Sequence, residues 1–219
     1  MLVAHRNGMA VWTNPYVTDG LIAMWDGEWN AGGGVHDPNA TVWTDLGGNG
    51  YNFEIPSSGA SFADDCVTLN NSSLSTSLQE VARPEFTIEC VAESYGGTGA
   101  WLWLKNPAWV GGSLVGWLSN GRCYFPWYEI GNLGGQGLAY AGLVWAGSNQ
   151  VLYKDANAIA STARSIDSRN VLSSIYIGEY NGEKKTTMNC HCVRLYSRAL
   201  ASEEISANYA IDKARFNLS

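Results

Sequence analysis

The sequence predicts an all-β protein, a sandwich of two antiparallel sheets with one short helix at its C-terminal end. Three observations favour this class. The 219 residues include 25 glycines, 10 tryptophans and 11 tyrosines, which suits many short strands joined by turns. The apolar segments are short and mostly alternate with polar residues, as strands do. Helical spacing is confined to the last residues of the chain.

The chain begins with an N-terminal arm over residues 1–18, and a single domain is predicted over residues 19–219. Ala10, Val11 and Trp12 make part of the arm apolar, so it can pack on the domain or on a partner. Residues 21–25 form the first predicted strand. Since no linker, internal repeat or low-complexity stretch follows, the rest of the chain is interpreted as one unit.

The clearest strand of the first half covers residues 86–91. Phe86, Ile88 and Cys90 fall on one face of this strand, and Thr87, Glu89 and Val91 fall on the other. Shorter strands are predicted at residues 51–53, 60–62, 67–69, 101–104 and 113–118.

Two hairpins and a final strand are predicted in the second half. Asn120 and Gly121 favour a tight turn after residue 118, because both tolerate positive φ. Residues 143–145 and 151–154 form a second hairpin, and residues 174–178 form a further strand. The last predicted strand, 188–196, is followed by a helix with Ser202 as N-cap and with Ile205 and Tyr209 facing a core.

Several of these stretches resemble laminin-G-like jelly rolls of the concanavalin A-like lectin/glucanase superfamily. The similar segments are the closing strand and helix at 193–209, the Trp-Thr-Asp-Leu-Gly-Gly-Asn-Gly run at 43–50, and the strands at 86–91, 151–157 and 174–178. Gly47 stands where the family usually has serine. The resemblance implies a jelly roll in which strand 190–196 pairs with strand 21–25 and the helix caps the sandwich.

The charge and the hydrophobicity exclude some kinds of partner. A net charge of −7 and a pI near 4.9 argue against binding nucleic acid or an anionic membrane surface. No apolar run approaches the ~20 residues that span a bilayer, so membrane insertion is not expected. The first 20 residues lack the apolar stretch of a secretory signal, so we expect either that the protein is not exported by that route or that its signal lies outside this sequence. A virion or cell-surface assembly is the expected location.

The five cysteines, Cys66, Cys90, Cys123, Cys190 and Cys192, are odd in number and irregularly spaced, which favours buried free thiols. Strict alternation predicts Cys190 and Cys192 on one face of their strand and His191 on the other. A zinc site would therefore need ligands from elsewhere in the chain.

No catalytic pattern is visible. Glycosidases of the resembled superfamily carry a Glu-x-Asp-x-(x)-Glu strand, which this chain lacks. Glu89 and Glu93 share a face, but their backbones lie about 13 Å apart along a strand. The two carboxylates that act together in a retaining glycosidase are much closer, at about 5–5.5 Å. We therefore expect solvated carboxylates on an outer face and a protein that is not an enzyme.

Binding is the more favoured chemistry, because residues 109–140 are rich in aromatic side chains that can cover the apolar face of a sugar. The alternatives are that these side chains plug the core or contact a protein. The candidate ligand-binding residues are Trp109, Tyr124, Trp127, Tyr128, Asn132 and Gln136.

Calcium is the cofactor to consider, with the adjacent carboxylates of Asp64 and Asp65 as candidate ligands. Asp26, Asp37 and Asp45 are further candidates. Roles in turns and caps are the alternative for all five.

The sequence thus predicts a non-catalytic recognition or adhesion module whose partner is a glycan or cell-surface polysaccharide. The alternative is a structural or host-attachment component of a phage virion, such as a tail or head appendage. Such a component would act through protein contacts and assemble with copies of itself or with virion partners. A glycoside hydrolase is disfavoured.

Overall fold

The computed structural model describes residues 3–6, 9–82, 85–97, 99–105, 113–118, 120–124, 129–134, 137–163, 171–180 and 184–219. The strands of the first half are β1 (Val3–Arg6), β2 (Met9–Trp12), β3 (Leu21–Asp26), β4 (Val42–Trp43), β5 (Phe53–Glu54), β6 (Ala60–Phe62), β7 (Val67–Ser72), β8 (Leu74–Ala82), β9 (Glu85–Gly97) and β10 (Ala100–Lys105).

The strands of the second half precede the single described helix. They are β11 (Ser113–Leu118), β12 (Arg122–Tyr124), β13 (Glu129–Asn132), β14 (Gly137–Ala146), β15 (Asn149–Lys154), β16 (Asn157–Ala163), β17 (Val171–Ile177), β18 (Glu179–Tyr180) and β19 (Lys184–Tyr196), and the helix is α1 (Ser202–Phe216). This helix lacks the length and apolarity that crossing a membrane requires.

Two large antiparallel sheets form the sandwich. The first has six strands in the order β13-β12-β11-β10-β17-β8. The second has nine strands, with β16-β15-β14-β9-β19-β7-β6 in sequence and with β3 and β18 pairing to β19. Between the sheets lies one apolar core, to which both contribute, for example Leu102 and Ile175 from the first sheet and Ile88 and Leu195 from the second. The predicted all-β sandwich with a C-terminal helix is confirmed.

The first and last long strands close the fold. β3 pairs antiparallel with β19, with Trp25 opposite Val193 and Leu21 opposite Tyr196. This pairing was expected from the closing segment, and it is confirmed. At the N-terminus, β1 and β2 form a separate two-stranded sheet.

Helix α1 lies on the outer face of the nine-stranded sheet, where a second apolar cluster joins it to the strands. Ile205 and Phe216 are buried there against Val91, Tyr140 and other sheet residues. The prediction for Ile205 is confirmed, whereas Tyr209 is only partly buried. The side chains of Asn208 and Asp212 are fully buried on the same helix face, so this face is only partly apolar.

The helix begins one residue earlier than predicted. Ala201, with extended backbone, is the N-cap in place of Ser202, and its own side chain accepts no hydrogen bond. Instead, Oε2 of Glu204 accepts a hydrogen bond of 2.9 Å from the Ala201 backbone N–H, which is one half of a capping box. Two hydrogen bonds from Arg198, of 2.6 and 2.7 Å, hold the same carboxylate.

These contacts give Glu204 a testable pH dependence. The hydrogen bonds from Arg198 are the main cause that lowers the pKa of Glu204 from 4.5 to about 2. A lowered folded-state pKa stabilises the fold above the unfolded value, and this contribution is lost as the pH falls through the folded value. Glu204→Gln should cost about 1 kcal/mol at pH 7, a modest value because the side chain is part-exposed. In urea unfolding the difference should shrink as the pH falls from 4.5 towards about 2. A difference that stays constant over this range would contradict the assignment, and Glu203→Gln is the matched control.

A β-bulge in β19 overturns the prediction for its cysteines. The register of β19 against β9 shifts between Cys190, opposite Ala92, and Cys192, opposite Val91, so His191 is an extra residue. Cys190 therefore packs in the core between the sheets, while Cys192 packs on the helix side. The two cysteines lie on opposite faces, and His191 shares the helix side, where its ring is 5.0 Å from that of Phe216. All five cysteines are buried and free, as predicted.

Candidate functional site

The outward face of the six-stranded sheet is the candidate site. In β10, Leu102 and Leu104 point into the core, and in β17 Ile175 and Ile177 do the same. Since neighbouring residues of a strand point to opposite faces, Trp103 and Tyr176 project outward. Trp103 and Tyr176 are direct cross-strand partners, so their side chains are adjacent on that face.

The same cross-strand position continues over four neighbouring strands. Gly116 of β11 pairs with Trp103 on one side and with Tyr124 of β12 on the other. We call Tyr124, Gly116, Trp103 and Tyr176 the aromatic row. Beyond Tyr176, the row ends at the exposed Ser75 of β8.

The aromatic row contains one buried ring, that of Trp103, and two partly exposed rings, those of Tyr124 and Tyr176. Trp103 is only 6% exposed and packs edge-to-face on Tyr180, with ring centroids 4.5 Å apart. Tyr124 and Tyr176 are half-buried and keep free surface. Gly116 contributes no side chain, and strands lie about 4.8 Å apart, so a strip of backbone about 10 Å wide separates Tyr124 from Trp103. An apolar ring face beside backbone that carries no side chain is an arrangement that can hold a flat ligand.

Polar and charged groups border the row. Arg122 and Glu129 form an exposed ion pair of 3.5 Å beside Tyr124. The hydrogen bond with Tyr124, and then the charge of Glu129, raise the pKa of Arg122 above its ordinary value. At the other end, the ammonium of Lys105 lies 6.0 Å from the ring centroid of Tyr176. Arg122 and Lys105 can donate hydrogen bonds to ligand hydroxyls, and Glu129 can accept hydrogen bonds from them.

The predicted ligand-binding residues are only partly described by the structure. Tyr124 lies in the row. Asn132 is exposed at the end of β13 opposite Arg122, and its Oδ1 accepts a hydrogen bond of 2.8 Å from the Gly134 N–H. The remaining candidates, Trp109, Trp127, Tyr128 and Gln136, lie outside the described residues.

Sequence reasoning missed Trp103 and Tyr176. The signal was present, because Trp103 alternates with Leu102 and Leu104, and Tyr176 alternates with two isoleucines. Alternation alone did not show that these strands are neighbours in the sheet.

Comparison with known proteins identifies structural neighbours. No family model and no curated protein matches the sequence. Trypanosoma rangeli sialidase in complex with sialic acid is similar to 97% of this chain, with a TM-score of 0.68 and 18% identity. Domain 4 of AbnA, a GH43 extracellular arabinanase from Geobacillus stearothermophilus, was solved with arabinotriose. It covers 86% of this chain and 98% of its own length, with a TM-score of 0.59 and 14% identity. The binding domain of Paraclostridial Mosquitocidal Protein 1 covers 91% of this chain and 53% of its own, with a TM-score of 0.62 and 16% identity.

These likenesses establish the β-sandwich fold. The chain spans about a third of the length of the sialidases that it matches, 36% for the complex with sialic acid.

A buried charge network lies on the opposite side of the molecule, between β9, β19 and α1. The carboxylate of Glu89 accepts hydrogen bonds from Arg194 Nε at 2.8 Å, from Asn208 Nδ2 at 2.8 Å and from the hydroxyl of Tyr140. Arg194 also donates to Asp212 Oδ1 at 3.0 Å. Glu89 has no exposed surface, so the prediction of a solvated outer-face carboxylate is wrong for this residue. α1 covers the face of the sheet that would otherwise meet water.

The candidate calcium ligands have different surroundings. The carboxylate of Asp45 accepts four backbone N–H bonds, from Met24, Gly47, Asn49 and Tyr51, which is a turn-capping role. Asp26 is paired with Arg215 at 2.7 Å, and Asp37 caps the backbone of Asn39. Asp64 is exposed, while Asp65 is part-exposed and lies 3.4 Å from His191. Calcium binding by Asp64 and Asp65 stays a prediction.

Proposed function

We propose that this chain is a non-catalytic glycan-binding module of the laminin-G-like type. We further propose that it binds its glycan on the outward face of the six-stranded sheet. The aromatic row is the observation that carries the proposal, because it places Tyr124 and Tyr176 on one face on either side of the buried Trp103. Aromatic rings bind the apolar C–H face of a sugar, and bordering polar groups bind its hydroxyls.

Two structural neighbours support this class of function. The arabinanase domain was solved with arabinotriose, and the mosquitocidal protein's domain is a binding domain. The sialidase neighbours raise hydrolysis as the competing possibility. The sequence lacks the Glu-x-Asp-x-(x)-Glu strand, and Glu89 is enclosed by Arg194, Tyr140 and Asn208. Both observations favour recognition without catalysis.

The test is a glycan array probed with the wild-type protein, followed by calorimetry with the strongest glycan. Tyr176→Ala and Tyr124→Ala should each raise Kd by about 10-fold or more, since truncating a central aromatic contact costs at least ~1.4 kcal/mol. Both side chains are half-buried on an outer face, so the melting temperature should change little.

Tyr153→Ala is the matched control, because Tyr153 is a half-buried tyrosine on β15 of the other sheet. It should leave Kd unchanged. If no glycan binds, or if both row variants bind as the wild type does, the proposal fails. The alternative, a virion component in which the same rings contact a protein, is then favoured.

A further inference from the structure

A second cluster of chemically active side chains lies far from the aromatic row. One ligand atom each from Asp65, Cys66 and His191 lies within 4.8 Å of the other two. Asp65 and Cys66 belong to the turn between β6 and β7, which closes with a hydrogen bond of 2.9 Å from the Ala63 N–H to the Cys66 carbonyl. His191 is the bulged residue of β19.

Gly27 brings the two segments together. Its N–H donates a 2.8 Å hydrogen bond to the carbonyl of His191. A Cβ at Gly27 would lie 2.4 Å from the Cα of Cys66, a distance that backbone atoms cannot accommodate. Glycine at position 27 is therefore required for the end of β3 to contact both the β6–β7 turn and the bulge at His191. This double contact places Cys66 beside His191.

The imidazole of His191 is buried and lacks a hydrogen-bond partner for Nδ1. The residue is 7% exposed, and Nδ1 is 3.4 Å from Oδ2 of Asp65, which is beyond the usual N–H···O range. A buried polar atom without a partner costs free energy, so a polar ligand at this point would relieve it. The Asp65 side chain is 44% exposed and leaves the cluster open to solvent.

We propose that Asp65, Cys66 and His191 form a binding site for a thiophilic divalent cation, with Zn²⁺ as the fitting ion. Thiolate and imidazole ligands select Zn²⁺ and disfavour Ca²⁺, which takes oxygen ligands. Three protein ligands leave the fourth tetrahedral position for water. The site joins the β6–β7 turn to the last strand.

Assembly of the site needs a small movement and the loss of one proton. Tetrahedral zinc bonds imply ligand separations of about 3.5 Å, and Asp65 Oδ2 already lies 3.4 Å from His191 Nδ1. The remaining contraction, about 1 Å at most, therefore falls on the separations that involve Cys66 Sγ. On binding, the Cys66 S–H bond breaks, the proton passes to solvent, and the thiolate donates its electron pair to the metal. The neutral imidazole is the form of His191 that binds a metal.

The test uses Co²⁺ as a spectroscopic probe on the folded full chain in metal-free buffer, followed by competition with Zn²⁺. We expect one Co²⁺ per chain, with a thiolate-to-cobalt charge-transfer band and the visible bands of tetrahedral cobalt. Excess Zn²⁺ should remove both, while excess Ca²⁺ should not. Cys66→Ala should abolish the charge-transfer band. His191→Ala and Asp65→Asn should weaken binding by more than the roughly 10–100-fold that is typical of losing a ligand's supporting contact.

Two control variants make the result decisive. Cys123→Ala removes a buried thiol of the other sheet, and Asp64→Ala removes the adjacent exposed carboxylate. Both should bind Co²⁺ as the wild type does. Asp65→Asn changes a part-exposed group and keeps the fold, so it tests the site even if Cys66→Ala fails to fold. The proposal is overturned if the wild type shows no charge-transfer band, if that band persists in Cys66→Ala, or if Ca²⁺ displaces the cobalt.

Discussion

Arg194→Met should lower the free energy of unfolding by about 3–5 kcal/mol, because it leaves two buried carboxylates without their cation. Arg194 has no exposed surface, and its guanidinium contacts Glu89 and Asp212 and lies 4.1 Å from the ring centroid of Tyr16. Burial alone would lower the pKa of Arg194, but Asp212 and Glu89 outweigh it and raise that pKa well above its ordinary value. Arg194 is therefore charged in the folded protein, and its ion pair with Asp212 joins α1 to the nine-stranded sheet.

Urea unfolding followed by circular dichroism measures this effect, and Arg122→Met is the matched control. Arg122 forms its ion pair with Glu129 at the surface, with 52% of its side chain exposed. Loss of an exposed pair should cost only about 0–1 kcal/mol. If Arg194→Met and Arg122→Met lower the free energy of unfolding by the same amount, the charge network between β19 and α1 does not hold the helix on the sheet.

Ile205→Ala should cost about 2–5 kcal/mol, the usual range for removing a large apolar side chain from a packed site. Ile205 has no exposed surface and belongs to the cluster that joins α1 to the nine-stranded sheet. Because Asn208 and Asp212 occupy much of the same helix face, few apolar side chains remain to replace its contacts.

Thermal and urea unfolding of Ile205→Ala should be compared with Ser206→Ala. Ser206 is the exposed neighbour, whose hydroxyl donates only to the Ser202 carbonyl in the helix itself. Its substitution should change stability by no more than about 0.5 kcal/mol. An Ile205→Ala melt that matches the wild type would mean that the helix is not docked on the sheet.

Much of the fold could be predicted because the relevant signals are local. Alternation placed Phe86, Ile88 and Cys90 together on one face of β9, and all three pack in the core between the sheets. The pairing of β3 with β19 was expected from the family-like closing segment, and the register confirms it. Periodicity carries this information within a single strand.

The errors arose where a side chain depends on a distant partner. Nothing near Glu89 in the sequence shows that Arg194 and Asn208 will enclose it. The bulge at His191 also moves Cys192 to the opposite face, and this bulge is visible only in the register of β19 against β9. At the helix start, Ala201 takes the N-cap position that was expected for Ser202, and the Glu204 carboxylate, held by Arg198, accepts a hydrogen bond from the Ala201 N–H.

The candidate site was harder to predict than the fold. The aromatic row needs β12, β11, β10 and β17 to be neighbours with one common register. Tyr124 and Tyr176 are far apart in the sequence, and no local pattern specifies their alignment. The sequence could therefore supply Tyr124 as a candidate but could not supply the row.

The most direct test of the proposed function is to map the binding surface by NMR. The ¹⁵N-labelled protein would be titrated with the strongest glycan from the array. We predict that the amide resonances that shift will cluster around Trp103, Gly116, Tyr124 and Tyr176, on the outward face of the six-stranded sheet. Saturable shifts confined to the nine-stranded sheet and α1 would contradict it.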